Sequence, residues 1–263
     1  MKPWNQRIVA ITGASGGLGF EMARETARKG GLPVMLARSL DKLTEGAALI
    51  ERETGIKPLV FELDVSDDEA VFRTFNNIFS KAGPVDVLIN NAGFGIFDDF
   101  EHAKLQDIKD MFEVNVYGLF SCTQAVLPGM RERGSGHIIH VASQAGKLAT
   151  PKSGGYSATK HAVLAFANSL RMELEGTGIR VSTVNPGPVK TNFFARADAS
   201  GDYEKSVEKY MLDAEMVASR TIDLIDKPKR ELNLPRWMNI GSKIYQFFPG
   251  LMEKAAGSQF RKK

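Results

Sequence analysis

The 263-residue chain has one cysteine, four histidines and two tryptophans. A single thiol excludes an internal disulfide framework. Cys122 sits in the apolar, helix-like stretch from Tyr117 to Leu127 and reads as a small buried packing residue, which fits a reducing compartment. Missing too is any apolar run near the roughly 20 residues that cross a bilayer, so no membrane span is expected. The run Ile8 to Ile11 follows Met1 too closely for a signal peptide, and the expected location is the cytoplasm. No repeat of fixed period and no low-complexity tract occurs, which excludes a solenoid and argues against disorder. Metal-ligand spacings are absent as well. His137 and His140 fall three apart on a strand-like run and face opposite ways, while His102 and His161 have no Cys or carboxylate partner at ligand spacing. No metal is expected. Asp98, Asp99 and Glu101 read as solvated loop charges.

What is present is the composition of a globular enzyme, 43% hydrophobic and 25% charged, in a chain long enough to bury a sizeable core. The net charge of +3 is unevenly placed: residues 227–263 hold nine Lys or Arg against two Glu, a local +7, and the rest carries −4. Nucleic acid is not an expected partner, because no binding motif accompanies the charge.

Short apolar runs alternate with longer stretches of helical period. Arg7 to Thr12, Pro33 to Ala37, Pro58 to Leu63, Val85 to Asn90, His137 to Ala142 and Ile179 to Asn185 read as strands, each followed by a helix candidate. This β-α rhythm predicts an α/β fold in a single domain: a Rossmann-like, doubly wound, mostly parallel sheet with helices on both faces and its ligand site beyond the carboxyl ends of the strands. Residues 1–230 form the expected dinucleotide-binding and catalytic part. Residues 231–263 are a basic and aromatic extension of the same domain, starting with an edge strand at Glu231 to Leu234.

After the first strand comes Thr12-Gly13-Ala14-Ser15-Gly16-Gly17-Leu18-Gly19, with a helix expected from about Phe20. Small residues let the backbone approach a pyrophosphate, and the helix amino terminus supplies free N–H groups. The G-x-G-x-x-G fingerprint is not matched, and a plain strand-to-helix turn is the alternative. The second strand ends Leu36-Ala37-Arg38, where an NAD-binding protein would place an acid against the ribose hydroxyls. Arginine there suits the 2′-phosphate of NADP, unless it is only a solvated charge at the start of a helix.

Tyr156 and Lys160 stand four apart at the front of a helical stretch running to Leu174, hence on one face. A tyrosine of pKa about 10 is a poor base at neutral pH, and a neighbouring ammonium is expected to make it more acidic. Alone, this pair also describes a solvated helix face.

Taken in order, Thr12-Gly13-x-x-x-Gly17-x-Gly19, Asn90-Asn91-Ala92-Gly93, Asn115, Ser143, Tyr156-x-x-x-Lys160 and Pro186-Gly187 resemble a classical short-chain dehydrogenase/reductase over about residues 7 to 230. The resemblance implies hydride transfer between a nicotinamide and a carbonyl/alcohol pair. It makes Tyr156 the general acid/base, has Ser143 bond the reacting oxygen, has Lys160 bind the nicotinamide ribose and tune Tyr156, and has Asn115 hold the water of a proton relay. It implies that Gly13, Ser15, Gly17, Leu18 and Gly19 line the pyrophosphate turn and that Arg38 takes the 2′-phosphate. Asp64 and Val65 would flank the adenine, Asn91, Ala92 and Gly93 the adenine ribose, and Pro186, Gly187, Val189 and Thr191 the nicotinamide end. NADP(H) is the expected cofactor. Some NADP-binding members carry a second basic residue where this chain has Gly16, so NAD(H) stays open. A catalytically silent dinucleotide-responsive module is the other alternative, although the full set Asn115, Ser143, Tyr156 and Lys160 is retained.

Phe193, Phe194, Tyr203, Tyr210 and Met211 lie in the stretch that covers the substrate in the family, and Phe94, Phe97 and Gln144 join them as substrate candidates for an apolar carbonyl or alcohol. Anchoring of a helical excursion on the core is the plainer reading. In the extension, Trp237, Met238, Ile240, Ile244, Tyr245 and Phe248 fall on roughly one helical face, followed by Leu251, Met252 and the terminal Arg261-Lys262-Lys263. A subunit contact, a cover over the substrate pocket and a peripheral contact with an anionic membrane are the three readings. The family implies a homodimer or homotetramer.

Overall fold

Continuous apolar runs make strands that are buried on both faces, and that is how the centre of the sheet is built. The computed structural model describes residues 2–198 and 201–260. Its strands are β1 (Ile8–Thr12), β2 (Leu32–Ala37), β3 (Leu59–Glu62), β4 (Val87–Asn90), β5 (Gly136–Val141), β6 (Ile179–Pro186) and β7 (Glu231–Leu234). They form one seven-stranded sheet in the order β3-β2-β1-β4-β5-β6-β7, with every neighbouring pair parallel. The expected mostly parallel sheet is parallel throughout.

The helices are α1 (Gly17–Arg28), α2 (Leu40–Thr54), α3 (Asp68–Ala82), α4 (Leu105–Phe112), α5 (Gly118–Glu132), α6 (Gly154–Glu173), α7 (Phe193–Ala197), α8 (Asp202–Val207), α9 (Ala214–Asp226), α10 (Arg236–Phe247) and α11 (Pro249–Phe260). Alternation along β1 divides the core. Val9 and Ile11 pack with Met22 of α1, Leu43 of α2 and Ile222 of α9, whereas Ile8 and Ala10 pack with Phe75 of α3, Val126 of α5 and Leu170 of α6. Helices therefore cover both faces, as expected. α1 starts at Gly17 rather than near Phe20, because Gly17 adopts a left-handed φ of 52° that lets the chain turn into the helix early.

The order in which successive strands are added reverses between β1 and β4, and beyond their carboxyl ends lies the crevice of a doubly wound sheet. β7 adds in parallel with Leu234 opposite Pro186, and Gly187 donates its N–H to Leu234 O at 2.6 Å. The chain thus leaves the sheet at the same end as the other strands, which delivers α10 to the crevice. Among the described residues no helix is long and apolar enough to cross a membrane.

Candidate active site

The carboxyl ends of β1 and β4 are stitched together. Thr12 Oγ1 accepts the N–H groups of Asn91 (3.0 Å) and Ala92 (2.9 Å), and Asn91 Nδ2 donates to Thr12 O (2.9 Å) and Gly13 O (3.3 Å). This seam leaves no room for a side chain at Gly13 or Gly19. A Cβ on Gly13 would lie 2.9 Å from Ala92 Cα, and one on Gly19 would lie 2.3 Å from the Gly13 carbonyl oxygen. Nothing stands within 4 Å of a Cβ placed on Gly16. Expected beside the adenine ribose, Asn91 has its side chain engaged in shaping the glycine turn.

Tyr156 and Lys160 lie one turn apart on α6, with Lys160 Nζ 5.7 Å from the centre of the Tyr156 ring. Both are buried. Lys160 Nζ donates to Val141 O at 3.0 Å, and loss of water pushes its amine down to about 8. Burial also drives the Tyr156 phenol above its ordinary value, and a hydrogen bond with the Ser143 side chain only partly opposes it. The expected acidification of Tyr156 by its neighbour is therefore not found in the free chain. The reason is physical: the site that gathers the two groups dehydrates both, and the cation is weakened along with the phenol it was to stabilise. Ser143 Oγ accepts from Ala145 N (3.0 Å) and makes a long contact to Pro186 O (3.4 Å).

Asn115 lies in a π-helical segment, Glu113–Tyr117, between α4 and α5. Its Nδ2 donates to Phe94 O (2.8 Å) and Thr159 Oγ1 (3.0 Å), and its Oδ1 accepts from Phe94 N (3.0 Å). Both amide hydrogens are thus taken up in holding the loop after β4 to α6.

One cleft of about 900 Å³ collects most of the expected residues. Gly13, Ser15, Gly17, Leu18 and Gly19 line one end, with Asn91, Ala92 and Gly93 beside them. Ser143, Gln144, Tyr156 and Lys160 occupy the middle, and Pro186, Gly187, Val189, Thr191, Phe193 and Phe194 close the other side. Six residues are not in its lining, Met211 among them. Arg38 is exposed at the end of β2. Asp64 turns its carboxylate onto Ser66 (2.7 Å to Oγ), and Val65 is buried against Gly118. Asn115 lies behind the loop it holds, and Phe94 lies under the Arg196 guanidinium, 3.6 Å from the ring centre. Phe97 takes the position expected of Phe94: it meets the Tyr156 ring edge-on at 5.7 Å and Tyr203 at 4.8 Å. With Phe193 5.6 Å from Tyr156, these rings form an apolar wall around the phenol. The excursion carrying Phe193, Phe194 and Tyr203 is fastened at its base, where Val189 bridges Leu212.

Sequence reasoning missed Lys42, in the first turn of α2, which lines the cleft near the glycine turn. It also left undecided Trp237, Met238 and Met252 of the extension, which wall the cleft. A lysine in a first helical turn looks like any solvated charge, and only the sheet topology brings the extension to this place. His137 and His140 are core groups: His137 Nε2 bonds Ser182 Oγ (2.9 Å), His140 Nδ1 meets Asn90 Nδ2 (3.2 Å), and burial pushes both down to about 3.

A family model described as short chain dehydrogenase matches residues 7–201. Dehydrogenase/reductase SDR family member 7B of Mus musculus is 32% identical over 264 residues, 97% of this chain and 81% of that protein. The alcohol dehydrogenase of the archaeon Thermococcus sibiricus, complexed with 5-hydroxy-NADP, superposes with a TM-score of 0.77 at 30% identity, covering 87% of this chain and 94% of that one. A short chain dehydrogenase/reductase of Burkholderia phymatum in complex with NAD has the same fold, with a TM-score of 0.87 over 95% of this chain and 96% of that one at 24% identity. The stitched glycine turn, the Ser143-Tyr156-Lys160 cleft and these likenesses agree: the chain belongs to the classical short-chain dehydrogenase/reductase family of oxidoreductases.

Proposed function

We propose that this chain is an NADP(H)-dependent oxidoreductase acting on the carbonyl/alcohol pair of a small, largely apolar molecule, with Tyr156 as the acid/base. The observation that carries the proposal is the placing of the Tyr156 phenol and Ser143 in one continuous cleft with the glycine turn.

The residues fit a dinucleotide. A Cβ on Gly17 would project to 3.4 Å from the Thr191 side chain and narrow the cleft over the turn, so glycine keeps that space open. Gly13, Ser15, Gly17, Leu18 and Gly19 would hold the pyrophosphate at the amino terminus of α1. Arg38 and Lys42 would take a 2′-phosphate, with Asp64 and Val65 beside the adenine and Asn91, Ala92 and Gly93 beside its ribose. Lys160, Pro186, Gly187, Val189 and Thr191 would border the nicotinamide end. When bound, the dinucleotide supplies or accepts the hydride.

The protein's own part is proton transfer and orientation. The Tyr156 phenol is protonated at neutral pH, and its Oη is placed in the cleft to donate to a carbonyl oxygen as negative charge develops there. Ser143 Oγ accepts from Ala145 N and lines the same cleft as Tyr156, so its hydroxyl can turn to donate to the same oxygen. Phe97, Phe193 and Tyr203 exclude water from around the phenol and favour an apolar substrate. A protonated Tyr156 and NADPH both favour reduction. Residues 1–230 carry this chemistry, and residues 231–263 are an extension of the same domain from which Trp237, Met238 and Met252 wall the cleft. Gly16, open where some members carry a cation, is the one feature that favours NAD.

The test is oxidation of NADPH and of NADH against a panel of aldehydes and ketones graded in apolarity. The expected result is turnover of apolar carbonyls with NADPH preferred by about tenfold or more, the worth of roughly one charge-assisted contact. Equal use of NADH would remove the cofactor preference, and no oxidation with any carbonyl would remove the substrate class.

A further inference from the structure

Because β7 ends at the crevice, α10 has two unlike faces. Inward, Asn239 Oδ1 accepts from Lys147 Nζ at 3.0 Å, Ser242 is buried, and Met238 packs on Gly187, where a Cβ would come within 2.7 Å of its sulfur. Outward, Trp237, Ile240, Ile244 and Phe247 recur three or four residues apart, and Phe248 and Leu251 continue the stripe onto α11. All six are exposed, Phe247 by 78% and Leu251 by 68%. The other nine exposed large hydrophobic residues are spread over the rest of the described chain, which is ordinary scatter; six gathered between Trp237 and Leu251 are not.

The stripe is flanked by Arg236, Lys243 and Lys254. Of the two acidic residues in the extension, Glu231 is paired with Lys147 and Glu253 accepts from Tyr245 Oη at 2.8 Å. The basic Arg261, Lys262 and Lys263 lie outside the described residues. This charge decides between occupants. A two-fold contact with a second copy would set these cations against themselves, whereas a surface of anionic head groups attracts them while the aromatic and aliphatic stripe enters the interface. Tyr210 and Trp237 meet at 5.8 Å, both line the cleft and both are exposed, so they form its rim, where Lys209 adds a cation 4.8 Å from the Tyr210 ring.

We propose that the outer face of α10 and the start of α11 docks on an anionic lipid bilayer, with the mouth of the cleft at Trp237 and Tyr210 opening on that surface, so that a lipid-soluble carbonyl enters from the membrane. The docking stands on the stripe and its charge alone; the substrate route rests on the proposed function of the cleft.

The full chain is sedimented with vesicles of phosphatidylcholine alone or mixed with phosphatidylglycerol. Wild type is expected to pellet with the mixed vesicles and far less with the neutral ones. The variant I244E/F247E, whose residues lie outside the cleft lining, is expected to stay in the supernatant while binding NADPH and melting as wild type does. R236Q/K243Q/K254Q, a second and milder set, is expected to bind the mixed vesicles roughly a hundredfold more weakly at low salt, about fivefold per cation removed. Wild type left in the supernatant, or I244E/F247E pelleting undiminished, would overturn the docking. So would sedimentation equilibrium showing a wild-type dimer that I244E/F247E converts to monomer, which would give the stripe to a second copy. For the route, NADPH oxidation with a long-chain aldehyde in mixed vesicles should fall at least tenfold in I244E/F247E, and oxidation with a water-soluble aldehyde should not change. Equal loss on both aldehydes would overturn the route, and absence of turnover in wild type on both would overturn the proposed chemistry while leaving the sedimentation result standing.

Discussion

Replacing Lys160 with methionine removes a cation that the fold has stripped of water. Lys160 is 5% exposed and its ammonium donates to Val141 O at 3.0 Å, a partner that does not make up for the lost hydration, and burial pushes the amine down to about 8 from 10.5. One unit is worth about 1.4 kcal/mol, so the charged form is penalised by about 3 kcal/mol in the folded chain. Because the folded value is depressed, between pH 8 and 10.5 the unfolded chain holds a proton that the folded chain has released. Stability therefore rises with pH across that window, and the full penalty stands below it. Urea unfolding of the cofactor-free wild type and of Lys160→Met at intervals from pH 7 to 10.5 measures this directly, since other alkaline titrations are common to both. The wild type should gain up to about 3 kcal/mol on the variant as the pH rises. A difference that stays constant, or that moves against the wild type, would refute the claim that the amine is dehydrated.

Thr12→Val should cost about 2–4 kcal/mol, because it leaves the N–H groups of Asn91 and Ala92 without their acceptor, and Thr12→Ser should recover most of that in the same thermal melts. Unchanged melting of the valine variant would mean that the seam between β1 and β4 does not depend on that hydroxyl. Arg38→Ala should weaken NADPH binding by about tenfold to a hundredfold and leave NADH binding unaltered, as titrations of cofactor fluorescence would show. A loss shared equally by both cofactors would take Arg38 out of the selection.

The strands were legible in the sequence because burial on both faces leaves unbroken apolar runs, and β7 was found at Glu231–Leu234 as expected. Tyr156 and Lys160 were legible because a helix fixes where residues four apart must lie. Other features were not, each for a stated reason. The segment Gly93-Phe94-Gly95-Ile96-Phe97 has no period, so nothing in it says that Phe97 faces the cleft and Phe94 meets Arg196. The direction in which Tyr156 is shifted depends on burial of the phenol and the amine together, which a pair of residue names does not carry. The contribution of Trp237, Met238 and Met252 follows from the parallel addition of β7, a property of the whole sheet.

The role given to the Tyr156 hydroxyl is tested most directly by Tyr156→Phe, which removes one oxygen from a ring held by Phe97 and Phe193. NADPH binding followed by fluorescence should match wild type, and turnover of an apolar carbonyl should fall by about two to four orders of magnitude. Wild-type turnover in that variant would contradict the assignment of Tyr156 as the proton donor.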